Sequence, residues 1–151
     1  MAQASTLVKV AAKGKWEFGV KTNVSIRNFP AFSMDEPAEL GGTDTAPNPM
    51  EYVVAALCGC NGVMIPLVAK ELDFAFSGID FEATGIIDIR GLMGEEGVRP
   101  HFQKVRFQVN IQTEESEERI EQLKNEVERR CPVFSLLHDA GVKVDTKWSK
   151  K

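Results

Sequence analysis

The chain has 151 residues, 43% of them hydrophobic, and a formal net charge of −4; this is enough apolar content for a real core and predicts one domain over residues 1–151. The acidic balance excludes nucleic acid or an anionic membrane surface as the main partner, because both require a basic face that displaces counterions. Three cysteines form no dense framework and Met1–Ala4 lacks the basic segment and apolar core of a secretory signal, so a reducing cytoplasm is the expected compartment.

Taken in chain order, Leu7–Val10, Trp16–Lys21 and Asn23–Arg27 alternate as short strands, with Lys13-Gly14-Lys15 and Thr22-Asn23 as turn-like separators. A three-stranded meander is the economical arrangement. From Phe29 to Asn48 the recurring prolines and glycines predict a long loop, of a length more often functional than filler. Asn48-Pro49-Met50-Glu51 then opens a helix: the Asn48 side chain accepts from the Glu51 amide, Glu51 reaches back, and Pro49 takes the first helical position, where a missing N–H costs nothing. Tyr52 to Ala69 carries no charge for 18 residues, borderline against the roughly 20 needed to span a bilayer. Gly59, Asn61, Gly62 and Pro66 lower its hydrophobicity, so a central helix buried by sheet is expected, kinked at Pro66 and ending near Lys70–Asp73, with no membrane.

Two alternating runs, Phe76–Arg90 and Phe102–Thr113, flank the turn-rich Gly91–Gly97 and predict an antiparallel hairpin. Glu114–Arg130 places Ile120, Leu123 and Val127 at helical spacing, which makes an amphipathic helix with a solvated charged face. Cys131–Ala140 reads as a short helix stopped at Gly141, and Val142–Trp148 as a final strand. The order lacks the strict alternation of a parallel sheet, so the fold class is α+β with antiparallel strands.

The chemistry rests on the thiols. Cys131 precedes Pro132, which disfavours helical dihedrals at Cys131 and makes it the cap of the next helix. The positive end of that helix, with Arg129 and Arg130, favours a thiolate, whereas an ordinary thiol is only about 3% ionised at pH 7; a cysteine that simply caps and packs is the alternative. Cys58 and Cys60 stand two apart in a helix and project about 200° from one another, so only one of them can serve a given site. That geometry also excludes joint metal ligation, and with His101 and His138 far off in sequence no metal site is expected.

The stretch Asn48-Pro49-Met50-Glu51-Tyr52 through Ala55-Ala56-Leu57-Cys58-Gly59-Cys60, preceded by Leu40-Gly41-Gly42 and followed by Cys131-Pro132-Val133 and the terminal strand, resembles the OsmC/Ohr family of organic hydroperoxide resistance proteins over nearly the whole chain. The resemblance implies α+β subunits wrapped around a long helix as an intertwined homodimer, with active sites at the interface. It further implies reduction of organic hydroperoxides to alcohols, without a cofactor, in oxidative stress defence. The peroxidatic cysteine then falls on Cys60 and the resolving cysteine on Cys131, with Cys58 as packing. An external dithiol, lipoyl-type or a small thiol, would restore the pair.

Two supporting groups depart from the family's peroxidases. Met50 stands where they carry glutamate, with Glu51 one position later, and Arg27 is the only arginine before residue 90. Glu51 lies nine residues before Cys60, about 13.5 Å along the axis and half a turn round, so the two cannot meet within one helix. Arg27 is the expected cation for Cys60, against a reading as a solvent-facing strand residue. These departures keep open an alternative, a non-catalytic dimer that binds a small apolar molecule at the interface, and behind it an inert structural dimer.

Overall fold

Backbone pairing, more than side-chain burial, organises the start of the chain in the computed structural model, which describes residues 6–151; the reading of Met1–Ala4 lies outside the described residues. The chain divides into two compact units, one ending at Tyr52 and the other Val53–Lys151.

In the first unit, β1 (Lys13–Phe18), β2 (Lys21–Ser25) and β3 (Phe32–Met34) form an antiparallel sheet in that order. A three-stranded meander is present but shifted along the chain: Trp16–Phe18 and Asn23–Ser25 belong to expected strands, and β3 takes the place of Leu7–Val10. Leu7–Val10 is not a strand, and Val8 and Val10 stand exposed. Lys13-Gly14-Lys15 and Thr22-Asn23 lie inside β1 and β2 instead of separating strands, because the turn falls at Gly19, whose φ of 53° suits a residue without Cβ. Arg27 follows the end of β2, in a turn at φ 49°, and so is not a strand residue.

The expected long loop contains β3, a 3₁₀ turn at Ala38–Leu40 and a buried carboxylate. Asp35 accepts from the Glu36 amide and from the amides and hydroxyls of Thr43 and Thr45, at 2.6 to 3.2 Å. Gly42 passes so close to Glu36 that a Cβ would lie 1.7 Å from its carbonyl oxygen, so no other residue fits there. Tyr52 donates to the Ser33 carbonyl at 3.0 Å and packs on Phe32 with ring centroids 5.1 Å apart.

The capping box forms as expected: Glu51 N–H donates to Asn48 Oδ1 at 2.8 Å, and Asn48 N–H to Glu51 Oε2 at 2.7 Å. Helix α1 (Pro49–Glu71) begins there and runs through Pro66 into the second unit. By length and composition it could cross a bilayer, with a mean hydropathy of 1.9 over its most apolar stretch. Burial is narrower than the uncharged run suggests. Leu57, Asn61, Ile65, Val68 and Ala69 face the interior, whereas Ala56, Gly59, Gly62, Val63, Pro66 and Leu67 form an exposed stripe.

The second unit is built on β4 (Gly78–Ile87) paired antiparallel with β5 (Phe102–Gln112), close to the expected hairpin. β4 stops at Ile87 because Asp88 caps a one-turn helix, α2 (Ile89–Leu92), accepting from the Arg90 amide. Val105, Phe107, Val109 and Ile111 alternate into the core, each burial contributing about 1.5–3 kcal/mol, and Phe107 stacks on Phe81 at 6.0 Å. Helix α3 (Glu117–Arg130) starts after its Ser116 cap, three residues later than expected, and buries Ile120, Leu123 and Val127. Helix α4 (Pro132–Asp139) follows Cys131 and ends before Gly141. The strand β6 (Lys143–Lys150) then pairs with β5 in parallel. The α3–α4 crossover imposes that direction, which a two-residue hairpin could not. The fold class remains α+β.

Candidate active site

Cys131 ends one helix and begins another. Pro132 holds it extended, at φ −71° and ψ 114°; its N–H bonds the Val127 carbonyl at 2.9 Å and its sulfur accepts from the Phe134 amide at 3.5 Å. Ile120, Leu123 and Val127 pack the preceding helix, and Cys131 is 0% exposed.

From α1, Cys60 meets this junction. Its Sγ lies 2.9 Å from Cys131 Sγ, with the Cys131 thiol donating, so residues 71 positions apart are in direct contact. Both sulfurs are free thiols, and Cys60 is the more accessible. Asn61, the next residue, is 1% exposed and donates through Nδ2 to the Leu57 carbonyl at 3.0 Å and to Cys131 Sγ at 3.8 Å.

Two arginines of α3 clamp it to the end of α1. Arg119 donates to the Leu72 and Asp73 carbonyls at 2.8 and 2.9 Å, which satisfies the helix C-terminus. Arg130 makes a bidentate pair with Glu71 at 2.5 and 3.0 Å, and Arg129 pairs with Glu126 at 2.7 Å. The guanidiniums expected to ionise Cys131 are therefore committed to carboxylates. Burial instead pushes the Cys131 thiol up to about 11, the hydrogen bond it gives Cys60 adds to the rise, and the Phe134 amide opposes it. Cys131 holds its proton against the sulfur of Cys60, opposite to the thiolate reading of the local sequence.

Cys58 takes no part in this contact, and burial pushes its thiol up as well. Arg27 and Glu51 belong to the first unit. There the Arg27 guanidinium lies 4.7 Å from the centroid of the Phe29 ring, and Glu51 completes the Asn48 cap. Among the described residues the hydrogen bond to Cys60 Sγ is the one from Cys131, and no group of three metal-ligating side chains is present. Asn61 was missed as a site residue. Its signal was available: it is the sole carboxamide in an otherwise uncharged apolar run, adjacent to Cys60.

The family model described as OsmC-like protein matches residues 42–147, from the second glycine of the loop to β6. Among solved structures, the fold is similar to an OsmC-like protein from Mycoplasma pneumoniae, with a TM-score of 0.80 and 16% identity over 95% of this chain and 97% of that one. It is also similar to an organic hydroperoxide resistance protein from Elizabethkingia anophelis, at 0.77 and 21% over 97% and 99%. A third is an organic hydroperoxide resistance protein OsmC from Legionella pneumophila, at 0.73 and 20% over 97% and 99%. No protein of curated function matches the sequence.

Proposed function

This chain belongs to the OsmC-like family, and from that premise we propose that it is a thiol peroxidase reducing organic hydroperoxides to alcohols in oxidative stress defence. The observation that carries the reading is the 2.9 Å contact between Cys60 and Cys131. Two hydroperoxide resistance proteins among the similar folds support the same substrate class.

Cys60 is the attacking thiol. It is the accessible member of the pair, and its sulfur accepts the hydrogen bond from the Cys131 thiol at 2.9 Å. Its sulfur attacks the terminal peroxide oxygen, the O–O bond breaks, and the alkoxide leaves and takes a proton to become the alcohol. The resulting sulfenic acid condenses with Cys131, releasing water and forming a disulfide. Because the sulfurs already touch, the condensation needs little rearrangement. An external dithiol, lipoyl-type or a small thiol, restores both thiols. The apolar helix around Cys60 suits an apolar peroxide better than hydrogen peroxide.

The active form is a homodimer in the cytoplasm. The exposed stripe from Ala56 to Leu67, with Val63 61% and Leu67 51% exposed, is too apolar to face water and lies on the helix that carries Cys60; a second copy covers it. Its small residues at three- and four-residue spacing let another backbone come close.

Cumene hydroperoxide tests the reading. The purified protein loses two thiols per chain, and mass mapping finds a Cys60–Cys131 disulfide. Retention of all three thiols overturns the peroxidase reading in favour of a dimer that binds a small apolar ligand.

A further inference from the structure

Cys131 presents a chemical problem to any catalytic cycle built on this pair. A thiol with no exposed surface, at the junction of α3 and α4, holds its proton well, and is for that reason a poor leaving group when its disulfide is reduced. Two donors nevertheless converge on its sulfur: the Phe134 amide at 3.5 Å and Asn61 Nδ2 at 3.8 Å. The Asn61 carboxamide is itself held in place, since the same nitrogen bonds the Leu57 carbonyl at 3.0 Å. A polar side chain this deeply buried in an apolar helix needs partners, and among the described residues its Nδ2 finds a second one in Cys131.

We infer that Asn61 stabilises Cys131 as the leaving thiolate in the reductive half of the cycle. The inference rests on the thiol-pair reading above and extends it to a residue outside the pair. In that half-reaction a thiolate of an external dithiol attacks the Sγ of Cys60, the accessible sulfur. The Cys60–Cys131 bond breaks, and its electron pair goes to Cys131 while a mixed disulfide forms at Cys60. The second thiol of the reductant loses its proton and attacks its own mixed disulfide, expelling Cys60 and leaving the reductant as a cyclic disulfide; two electrons and two protons pass to the protein.

At the moment of cleavage the hydrogen bond from Cys131 to Cys60 is absent, because both sulfurs are engaged in disulfides or bear no proton. One cause of the raised affinity of Cys131 for its proton is thereby removed. Burial persists, and the Asn61 and Phe134 donors with the N-terminal end of α4 are what remain to offset it. The two sulfurs thus have different roles set by position: Cys60 receives the nucleophile and Cys131 receives the charge.

The test isolates reduction from peroxide chemistry by forming the disulfide with diamide, which removes two electrons and two protons whether or not a hydroperoxide is a substrate. Mass-mapped disulfide forms of the wild type, Asn61→Leu, Asn61→Asp and Asn61→Gln are then reduced with dithiothreitol across a pH series. About half of the thiolate charge develops on the leaving sulfur in the transition state, so losing one donor slows reduction about fivefold in Asn61→Leu. The isosteric Asn61→Asp is slower still, because a carboxylate repels the departing thiolate, and Asn61→Gln recovers part of the rate. In a Cys60→Ser background, Asn61→Leu raises the Cys131 titration followed by thiolate absorbance, a shift that lost packing alone does not produce.

Wild-type reduction rates in both Asn61→Leu and Asn61→Asp would overturn the inference; if the leucine variant does not fold, the isosteric aspartate decides. Failure of cumene hydroperoxide to oxidise the wild type sinks the peroxidase reading and leaves this comparison intact. Failure of diamide to form the disulfide removes both.

Discussion

Asp35 shows how one residue organises a loop that has little hydrophobic content of its own. Five bonds from Glu36, Thr43 and Thr45 converge on its carboxylate. The Thr43 hydroxyl above all holds it well below the usual carboxylate range, with burial opposing and the Glu36 and Thr45 amides assisting. A carboxylate with a depressed folded pKa contributes stability that is complete above its unfolded value, about 3.9, and is lost as pH falls below it. Urea midpoints of the wild type therefore fall steeply from about pH 4 downward, whereas Asp35→Asn starts lower at neutral pH and shows a flatter acid limb. Among the thiols, Cys58→Ser keeps hydroperoxide turnover near wild type and Cys60→Ser abolishes it, as measured by consumption of cumene hydroperoxide with dithiothreitol as reductant. Equal losses from the two would mean that the wrong sulfur has been assigned the attack.

At the scale of elements, what matters is how helix ends are closed. The Asn48–Glu51 box satisfies the first amides of α1, and Asn48→Ala lowers unfolding free energy by about 1 kcal/mol in urea titrations. The Glu71–Arg130 pair has a different role. Its groups are substantially exposed, so solvent screening leaves it little weight in stability, yet Arg130 immediately precedes Cys131 and ties that junction to α1. Arg130→Ala therefore slows diamide-driven formation of the Cys60–Cys131 disulfide several-fold with little change in melting temperature. An unchanged rate would show that core packing by Leu123 and Val127 alone sets the sulfur contact. The Asn48 and Cys131 caps were legible because capping is local, with the partner amide three residues on. β1 was legible only in its second half: Trp16-Glu17-Phe18 alternates, whereas Lys13-Gly14-Lys15 has no apolar residue to mark it, all six residues are exposed, and the strand depends on the Gly19 turn and the ladder to β2.

For the whole molecule, the exposed stripe on α1 is the feature that a single chain leaves unfinished. Val63→Glu places a charge in its centre, and sedimentation at micromolar concentration shows the wild type as a dimer and the variant shifted to monomer. A monomeric wild type would remove the homodimer from the proposal.

Local rules were enough for the α+β class, the amphipathic α3, the Asn48 cap and Cys131 at a helix start, since each depends on neighbours within a turn or two of chain. They misjudged the charge state of Cys131, because proximity in sequence put Arg129 and Arg130 beside the thiol while packing committed them to Glu126 and Glu71. The parallel direction of β6, the carboxylate cage of Asp35, and the bond from Asn61 to a sulfur 70 residues away were decided only in three dimensions. The physical reason is common to all of them: hydrogen bonds and desolvation act over a few ångströms of space, and distance along the chain sets neither until the helices have packed.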